Sequence, residues 1–294
     1  MTTTLEPAWA QQVATAQPIR IRTRFWRFAL MVLGGAAAFA VVWAHPDRGH
    51  DTWFAWAALG TLLGVLSGWS FGSGIARYRD VAALQPVRAI RIVPALLLMA
   101  SVAGAALPLS IVIVRQGIIW QGVALAGLAI VGALPAGAAV VAIRVLSIDG
   151  VGGPVGRRLG TLLRLRGLLS RLNTIFGSLV VVLTLFIAAQ RSLATGEAVP
   201  ASLVIYTGAA SAVVVALVYL PTAAVLRRRC LLFIDEEFSL DNVDRAQLIQ
   251  AAEDRHRLEG LMGLHRTTLA ELQNGLVIVS PLLASAGITL LPGF

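Results

Sequence analysis

The sequence predicts an all-α protein, a polytopic membrane helical bundle. Hydrophobic residues form 57% of the 294 residues and charged residues only 13%, whereas an average soluble domain carries about 25% charged residues. So few charges cannot cover the surface of a soluble fold of this length. An intrinsically disordered chain is excluded as well, because the sequence is apolar rather than highly charged.

Six apolar segments are long enough to cross a bilayer, which takes about 20 residues for about 30 Å of hydrocarbon. The six transmembrane segments are residues 25–45, 52–75, 92–114, 118–143, 172–189 and 201–226. They divide the chain into four parts: a cytosolic N-terminal tail (1–24), a six-span transmembrane domain (25–226), a cytosolic helical segment (227–274) and an apolar C-terminal helix (275–294).

The arginines predict the orientation of these segments. All 24 basic residues are arginine. Seventeen of them lie in the N-terminal tail, in the second and fourth loops and directly after the sixth segment, against three in the other loops, Arg48, Arg115 and Arg191. Positive charge accumulates on the cytoplasmic side of membrane proteins. We therefore expect a cytoplasmic N-terminus in a plasma membrane, and we interpret the net charge of +9 as an orientation signal rather than a nucleic-acid site. The absence of lysine is typical of a GC-rich bacterial genome.

Both ends of the chain leave alternatives open. The first segment resembles a signal peptide, because Ala38-Phe39-Ala40 fits a small-x-small cleavage site, but the apolar run continues beyond it and favours a retained span. The last apolar stretch, residues 276–291, would extend only about 24 Å as a helix. It is interpreted as a seventh span, as part of a cytosolic oligomerisation bundle, or as an interfacial or re-entrant helix.

The second segment carries a glycine on every fourth residue. Gly60, Gly64, Gly68 and Gly72 share one helical face, and a face without side chains lets another backbone approach closely. The pattern predicts helix packing, with another span of the same chain as the first interpretation. A homo-oligomer contact and a pore-lining helix are the alternatives.

The cytosolic segment shows a heptad pattern. A helix is expected from Asn242, and its apolar residues follow each other at alternating intervals of four and three. This assembly seam consists of Leu258, Met262, His265, Leu269, Leu272 and Leu276. Heptad spacing is typical of coiled coils. The pattern predicts one long helix that continues into the last apolar stretch and joins subunits or binds a cytosolic partner.

The fourth loop, residues 149–156, is rich in glycine and precedes a basic stretch. It lacks the Gly-Lys-Ser/Thr ending of a phosphate-binding loop, so we expect a flexible hinge into an interfacial helix. Arginines beside a membrane attract anionic lipid headgroups. The arginines predicted to contact these headgroups are Arg157, Arg158, Arg164, Arg171, Arg227, Arg228 and Arg229.

No residue pattern predicts a catalytic site, a cofactor or a metal. Residues 235–237 form an acidic cluster that is interpreted as a solvated face, with a cation site as the alternative. His45 and His50 stand beside aspartates in the first outer loop. This loop is interpreted as an ordinary polar loop, with a metal or pH-sensing site as the alternative. Cys230 follows three arginines and is interpreted as an inert thiol rather than a lipidated cysteine.

Function is predicted only as a class. The spans contain no acidic residue, lysine or histidine at mid-depth, and ion-coupled carriers normally need such a group. The first hypothesis is an oligomeric membrane scaffold or channel-like component. The alternative is a transport component for an apolar or lipidic substrate, and the third is a membrane enzyme with a cytosolic-face site that includes Glu236 and His256.

Overall fold

The prediction of an all-helical chain is confirmed by a computed structural model. The structure describes residues 17–46, 51–85, 88–114, 120–150, 152–195, 201–237 and 248–264, and these residues contain helices and no strand. The α-helices are α1 (Gln17–Trp43), α2 (Asp51–Ala82), α3 (Val93–Val114), α4 (Trp120–Asp149), α5 (Val155–Thr195), α6 (Ala201–Glu237) and α7 (Leu248–Leu261). A short 3₁₀ turn, Ala89–Arg91, precedes α3.

Five of these helices are long and apolar enough to cross a membrane. Their apolar stretches are Phe25–Trp43, Trp53–Ala82, Trp120–Asp149, Val155–Leu193 and Gly208–Glu237. A shorter apolar helix, Val93–Val102, lies at the start of α3. The third of the six predicted spans, residues 92–114, covers this helix. The predicted seventh span, residues 276–291, lies outside the described residues.

Helix α2 packs against α1, α4 and α5, and α4 in turn contacts α1, α2, α3, α5 and α6. Two clusters of buried side chains fill the interior. The first contains Trp56, Leu63, Leu125 and Phe186. The second surrounds Ile143 on α4 and extends along α5 and α6 as far as Met262. The interior therefore continues from the long apolar helices into the segment that follows α6.

The prediction of a separate interfacial helix after the fourth loop is wrong. The loop itself turns as predicted, with Gly150 and Gly153 at φ angles of 83° and 116°, a region that side-chain-bearing residues rarely adopt. However, α5 then runs for 41 residues without a break, or about 61 Å. The basic stretch is thus the first part of one long helix, and several of its leucines, Leu162, Leu165 and Leu169 among them, are buried in the core shared with α4 and α6.

The prediction that the heptad pattern forms one long, unbroken helix is also wrong. Helix α7 ends at Leu261, and a turn follows in which Gly263 has a φ of 60°. Leu258 and Met262, the first two residues of the assembly seam, pack into the chain's own core. The later members of the seam, His265, Leu269, Leu272 and Leu276, lie outside the described residues, as does the helix start expected at Asn242. The domain boundary expected at residue 227 falls inside α6, which continues to Glu237.

Candidate functional site

Helices α5 and α6, at 41 and 37 residues, are the longest of the described helices and extend furthest beyond the roughly 20 residues that a bilayer requires. In α5 the residues without charge are 172–190, which extend about 28 Å, and residues 155–171 add about 25 Å before them. In α6 the charge begins at Arg227 and the helix continues for ten more residues. Both extensions lie at the same end of the bundle, which we call the arginine-rich end. Together with α7 they form what we call the arginine-side module: residues 155–171, 227–237 and 248–264.

Arg158 ties the two extensions together. Its guanidinium donates hydrogen bonds to Glu236 at 2.5 Å and to Glu237 at 2.6 Å, and it lies 5.2 Å from the centre of the Phe233 ring. Hydrogen bonds between ionised groups are stronger than neutral ones. Arg158 therefore forms its ion pairs within the protein. Its contact with lipid headgroups stays a prediction, and such headgroups would have to compete with these two carboxylates for the guanidinium.

Arg255 holds α7 against α6. Its guanidinium donates to Asp235 at 2.6 Å and to Glu259 at 3.2 Å. The hydrogen bond to Asp235, followed by the one to Glu259, raises the pKa of Arg255 above its usual value. The acidic cluster at residues 235–237, interpreted from the sequence as a solvated face, is thus bound by arginines from both sides.

An apolar core lies beneath these ion pairs. Leu165, Phe233, Ile234 and Met262 are almost completely buried. Arg166 donates a hydrogen bond to the carbonyl oxygen of Gly263 at 2.9 Å, which binds a carbonyl at the end of α7 that the helix itself leaves unpaired. The arginine-side module therefore has both a hydrophobic interior and specific polar contacts.

A second group of arginines marks the edge of the apolar segments. Exposed arginines stand where the charge-free stretches of several helices end: Arg79, Arg144, Arg171, Arg227 and Arg228. Arg157 lies fourteen residues before Arg171 on α5, or about 21 Å further along the axis. Arg164 approaches Asp80 at 3.9 Å, and Arg229 is half-buried beside Gly150. The predicted lipid-contact arginines therefore lie at several depths.

The glycine face of α2 packs against α1 of the same chain. A Cβ placed on Gly68 would overlap the carbonyl oxygen of Leu30, and one on Gly64 would overlap Gly34 and Ala38. A Cβ on Gly72 would lie 3.1 Å from Leu30. Gly60 is enclosed differently, by Val42, Leu125 and Phe186 at 3.0–3.3 Å. Within the described residues, Gly64, Gly68 and Gly72 thus lie against α1, and the role of the glycine pattern in assembly stays a prediction.

The opposite end of the bundle, which we call the glutamine end, is aromatic and polar. His45 is buried, and its ring lies 5.4 Å from that of Trp56. Gln121 is also buried, and the Gln190 side chain lies directly against Gly122. No group of three or more His, Cys, Asp or Glu able to hold a metal ion occurs in the described part of the chain. His50 lies outside that part.

Several of these residues were not predicted. Arg255 had a sequence signal, because Glu259 stands four residues later on the same helix. Arg166, Trp56 and Gln121 had none, because their role depends on contacts between helices distant in the sequence. Cys230 is buried in the core, as an inert thiol would be. Comparison with protein-family models, with curated proteins and with solved structures finds no match to this chain.

Proposed function

We propose that this protein is an oligomeric membrane scaffold or channel-like component whose arginine-side module docks a second subunit or a cytosolic partner. The supporting observation is the length of α5 and α6 beyond their charge-free stretches, together with the core and the ion pairs that fold the extensions onto α7. A membrane anchor alone would need none of this. A folded module of stacked helices outside the bilayer is a common means by which membrane proteins are joined.

The surface of α7 supports the docking proposal. Ile249 and Leu261 are 75% and 72% exposed, although they belong to a short polar helix rather than to an apolar stretch. Lipid covers the exposed apolar side chains of the spans, but it does not reach a helix beyond the membrane. Glu253, His256 and Arg257 are exposed beside them, so that the surface offers apolar contacts within a charged rim. Protein–protein interfaces have this composition.

The size of the particle in mild detergent tests the proposal. We expect the full chain to be a homo-oligomer by light scattering, and we expect removal of residues 248–294 to reduce its mass to that of a smaller assembly or a monomer. The variant Ile249→Asp with Leu261→Asp should weaken assembly, and Leu97→Asn, on the exposed face of α3, is the matched control. A strictly monomeric full chain, unaffected by the deletion, would refute the assembly proposal.

We further propose that the arginine-rich end faces the cytoplasm of a bacterial plasma membrane. The support is the distribution of arginine along the sequence, together with the exposed arginines at the ends of the charge-free stretches, which are suited to anionic lipid headgroups. In a Cys230→Ala background, Pro46→Cys at the glutamine end should react with an impermeant maleimide added to intact cells. Arg88→Cys should react only after permeabilisation. The reverse pattern would contradict this orientation.

A further inference from the structure

One face of α2 carries buried hydrogen-bond donors that have no acceptor among the described residues. They are the indole Nε1 atoms of Trp53 and Trp56, the hydroxyl of Ser70 and the Nε of Arg77. At 100° per residue these four positions fall within about 120° of the helix circumference. The donors therefore form a file that runs the length of α2, from the glutamine end to the arginine-rich end.

The middle of this face meets α4 and α5, whereas Trp53 at one end has its ring centre 6.4 Å from that of Trp43 on α1. Trp56 stacks on Phe186 of α5 with ring centres 6.1 Å apart. Further along, a Cβ on Gly74 would lie 2.7–2.9 Å from atoms of Pro135 on α4. Trp56 and Ser70 thus lie inside the bundle, on a different face from Gly64, Gly68 and Gly72, which pack against α1.

The two ends of the file carry further polar groups. At the glutamine end, the Oε1 of buried Gln121 has no donor in the part of the chain that the structure describes, and Arg191 lies one residue beyond Gln190. At the arginine-rich end, the Nε of Arg27 is buried without an acceptor in that same part of the chain. Asp80 also stands at this end, where it pairs with a different nitrogen of Arg77 at 3.3 Å and with Arg164. Positive charge therefore exceeds negative charge at this end of the file.

An apolar layer interrupts the file between Trp56 and Ser70. Leu63, Leu125 and Phe186 are fully buried there. The layer is tightly packed, since a Cβ on the neighbouring Gly60 would come within 3.1–3.3 Å of Leu125 and Phe186. Water cannot pass such a layer without displacing these side chains.

We propose that the interface of α2 with α4 and α5 is a closed conduction path for small anions such as chloride. A buried donor without an acceptor is costly, and a hydrated anion supplies acceptors. Rings of positive charge and donors select anions, and hydrophobic constrictions close a path by excluding water. In this account Leu63, Leu125 and Phe186 form the gate. Passive flow needs no coupling carboxylate. The proposal rests on the channel-like part of the proposed function, and its flux measurements can fail without affecting the assembly that particle size tests.

Flux measurements on the full chain in liposomes test this proposal. Leu63→Ser makes the gate polar, and we expect chloride efflux to rise about tenfold, which corresponds to about 1.4 kcal/mol of barrier, while potassium efflux stays unchanged. Leu62→Ser, the adjacent exposed position, is the matched control and should leave both fluxes unchanged. Phe186→Ala opens the gate from α5, with half-buried Leu183→Ala as its control.

The donors are tested in the opened background. Adding Trp56→Phe or Ser70→Ala to Leu63→Ser should lower chloride efflux again, because each removes one donor of the file. Equal rises in chloride and potassium efflux would indicate an unselective leak and overturn the proposal. Correctly folded gate variants without added chloride efflux would overturn it as well.

Tryptophan fluorescence of the chain with an unmutated gate provides a third measurement. Trp56 lies on the glutamine-end side of the gate, so iodide should quench its fluorescence although the indole is fully buried. Trp56→Phe should therefore reduce the iodide-quenchable fraction of the emission, relative to the folded wild-type chain. An unchanged quenchable fraction would show that anions do not reach the donor file.

Discussion

Gly68 sets how closely α1 and α2 approach each other. A Cβ at this position would overlap the backbone of Leu30, and a backbone atom cannot move aside as the end of a side chain can. We expect Gly68→Ala to lower the free energy of unfolding by about 1–3 kcal/mol, in the range of overpacking substitutions. Thermal unfolding in detergent measures this effect.

Gly127 provides the control for this prediction. It lies in α4 with no atom within 4 Å of an added Cβ. Because alanine favours a helix over glycine by about 1 kcal/mol, Gly127→Ala should leave stability unchanged or raise it slightly. Equal melting temperatures for the two variants would show that the close contact of α1 with α2 does not contribute to stability.

Single residues also show what the sequence could predict. A packing face on α2 is visible in the sequence as the regular spacing of Gly60, Gly64, Gly68 and Gly72. Glycines at every fourth residue can be seen without knowing which helix packs against them. The donors of Trp56 and Ser70 are ordinary span residues in the sequence. Whether such a donor has an acceptor depends on helices far away in the chain, and no local pattern contains that information.

At the scale of elements, arginines dock the extensions of α5, α6 and α7. We expect Arg158→Ala to weaken this docking by about 1 kcal/mol, the upper range for partly exposed ion pairs, because it leaves Glu236 and Glu237 without their partner. Hydrogen exchange in residues 227–237 should become faster. Arg157→Ala, at an exposed neighbouring position, should leave this exchange unchanged, and equal effects of the two variants would contradict the role of Arg158.

Arg255 governs the docking of α7 and its dependence on pH. Arg255→Ala should accelerate hydrogen exchange in α7, whereas Arg257→Ala should do so less, since Arg257 pairs at 3.8 Å with Glu253 of its own helix. The pKa of Arg255 is raised, so its contribution is complete below the ordinary arginine pKa and is lost only above it. Exchange in α7, corrected for its intrinsic rate, should therefore be equal at about pH 7 and pH 9. A decrease in protection over that range would contradict the ion-pair account.

The long extensions could be predicted only in part. Apolar windows mark the parts of α5 and α6 that are long and apolar enough to cross a membrane, but they give no signal for a helix that continues beyond such a part. The heptad pattern, in contrast, predicted a helix that is too long. It predicted a continuous helix beyond Leu258, whereas Gly263 allows the backbone to turn and Met262 turns into the chain's own core. Local glycine conformation outweighed the periodicity of the apolar residues.

At the scale of the whole molecule, composition predicted the class well. A chain with 13% charged residues has to place most of its apolar surface in lipid or in its core, and the five long apolar helices agree with that. The arrangement of the helices around α2 was beyond prediction, since similar apolar faces fit several neighbours. We expect α6 to cross the membrane and then to leave it at the arginine-rich end, where it forms part of the arginine-side module.

Cysteine accessibility along α6 tests this claim most directly. In a Cys230→Ala background, single cysteines replace the exposed residues Val213, Leu217, Leu220 and Leu231. We predict that the first three are unreactive toward an impermeant maleimide added to both sides of a membrane, and that Leu231→Cys reacts from the side that labels Arg88→Cys. Labelling of Leu217→Cys, or protection of Leu231→Cys within lipid, would contradict the account.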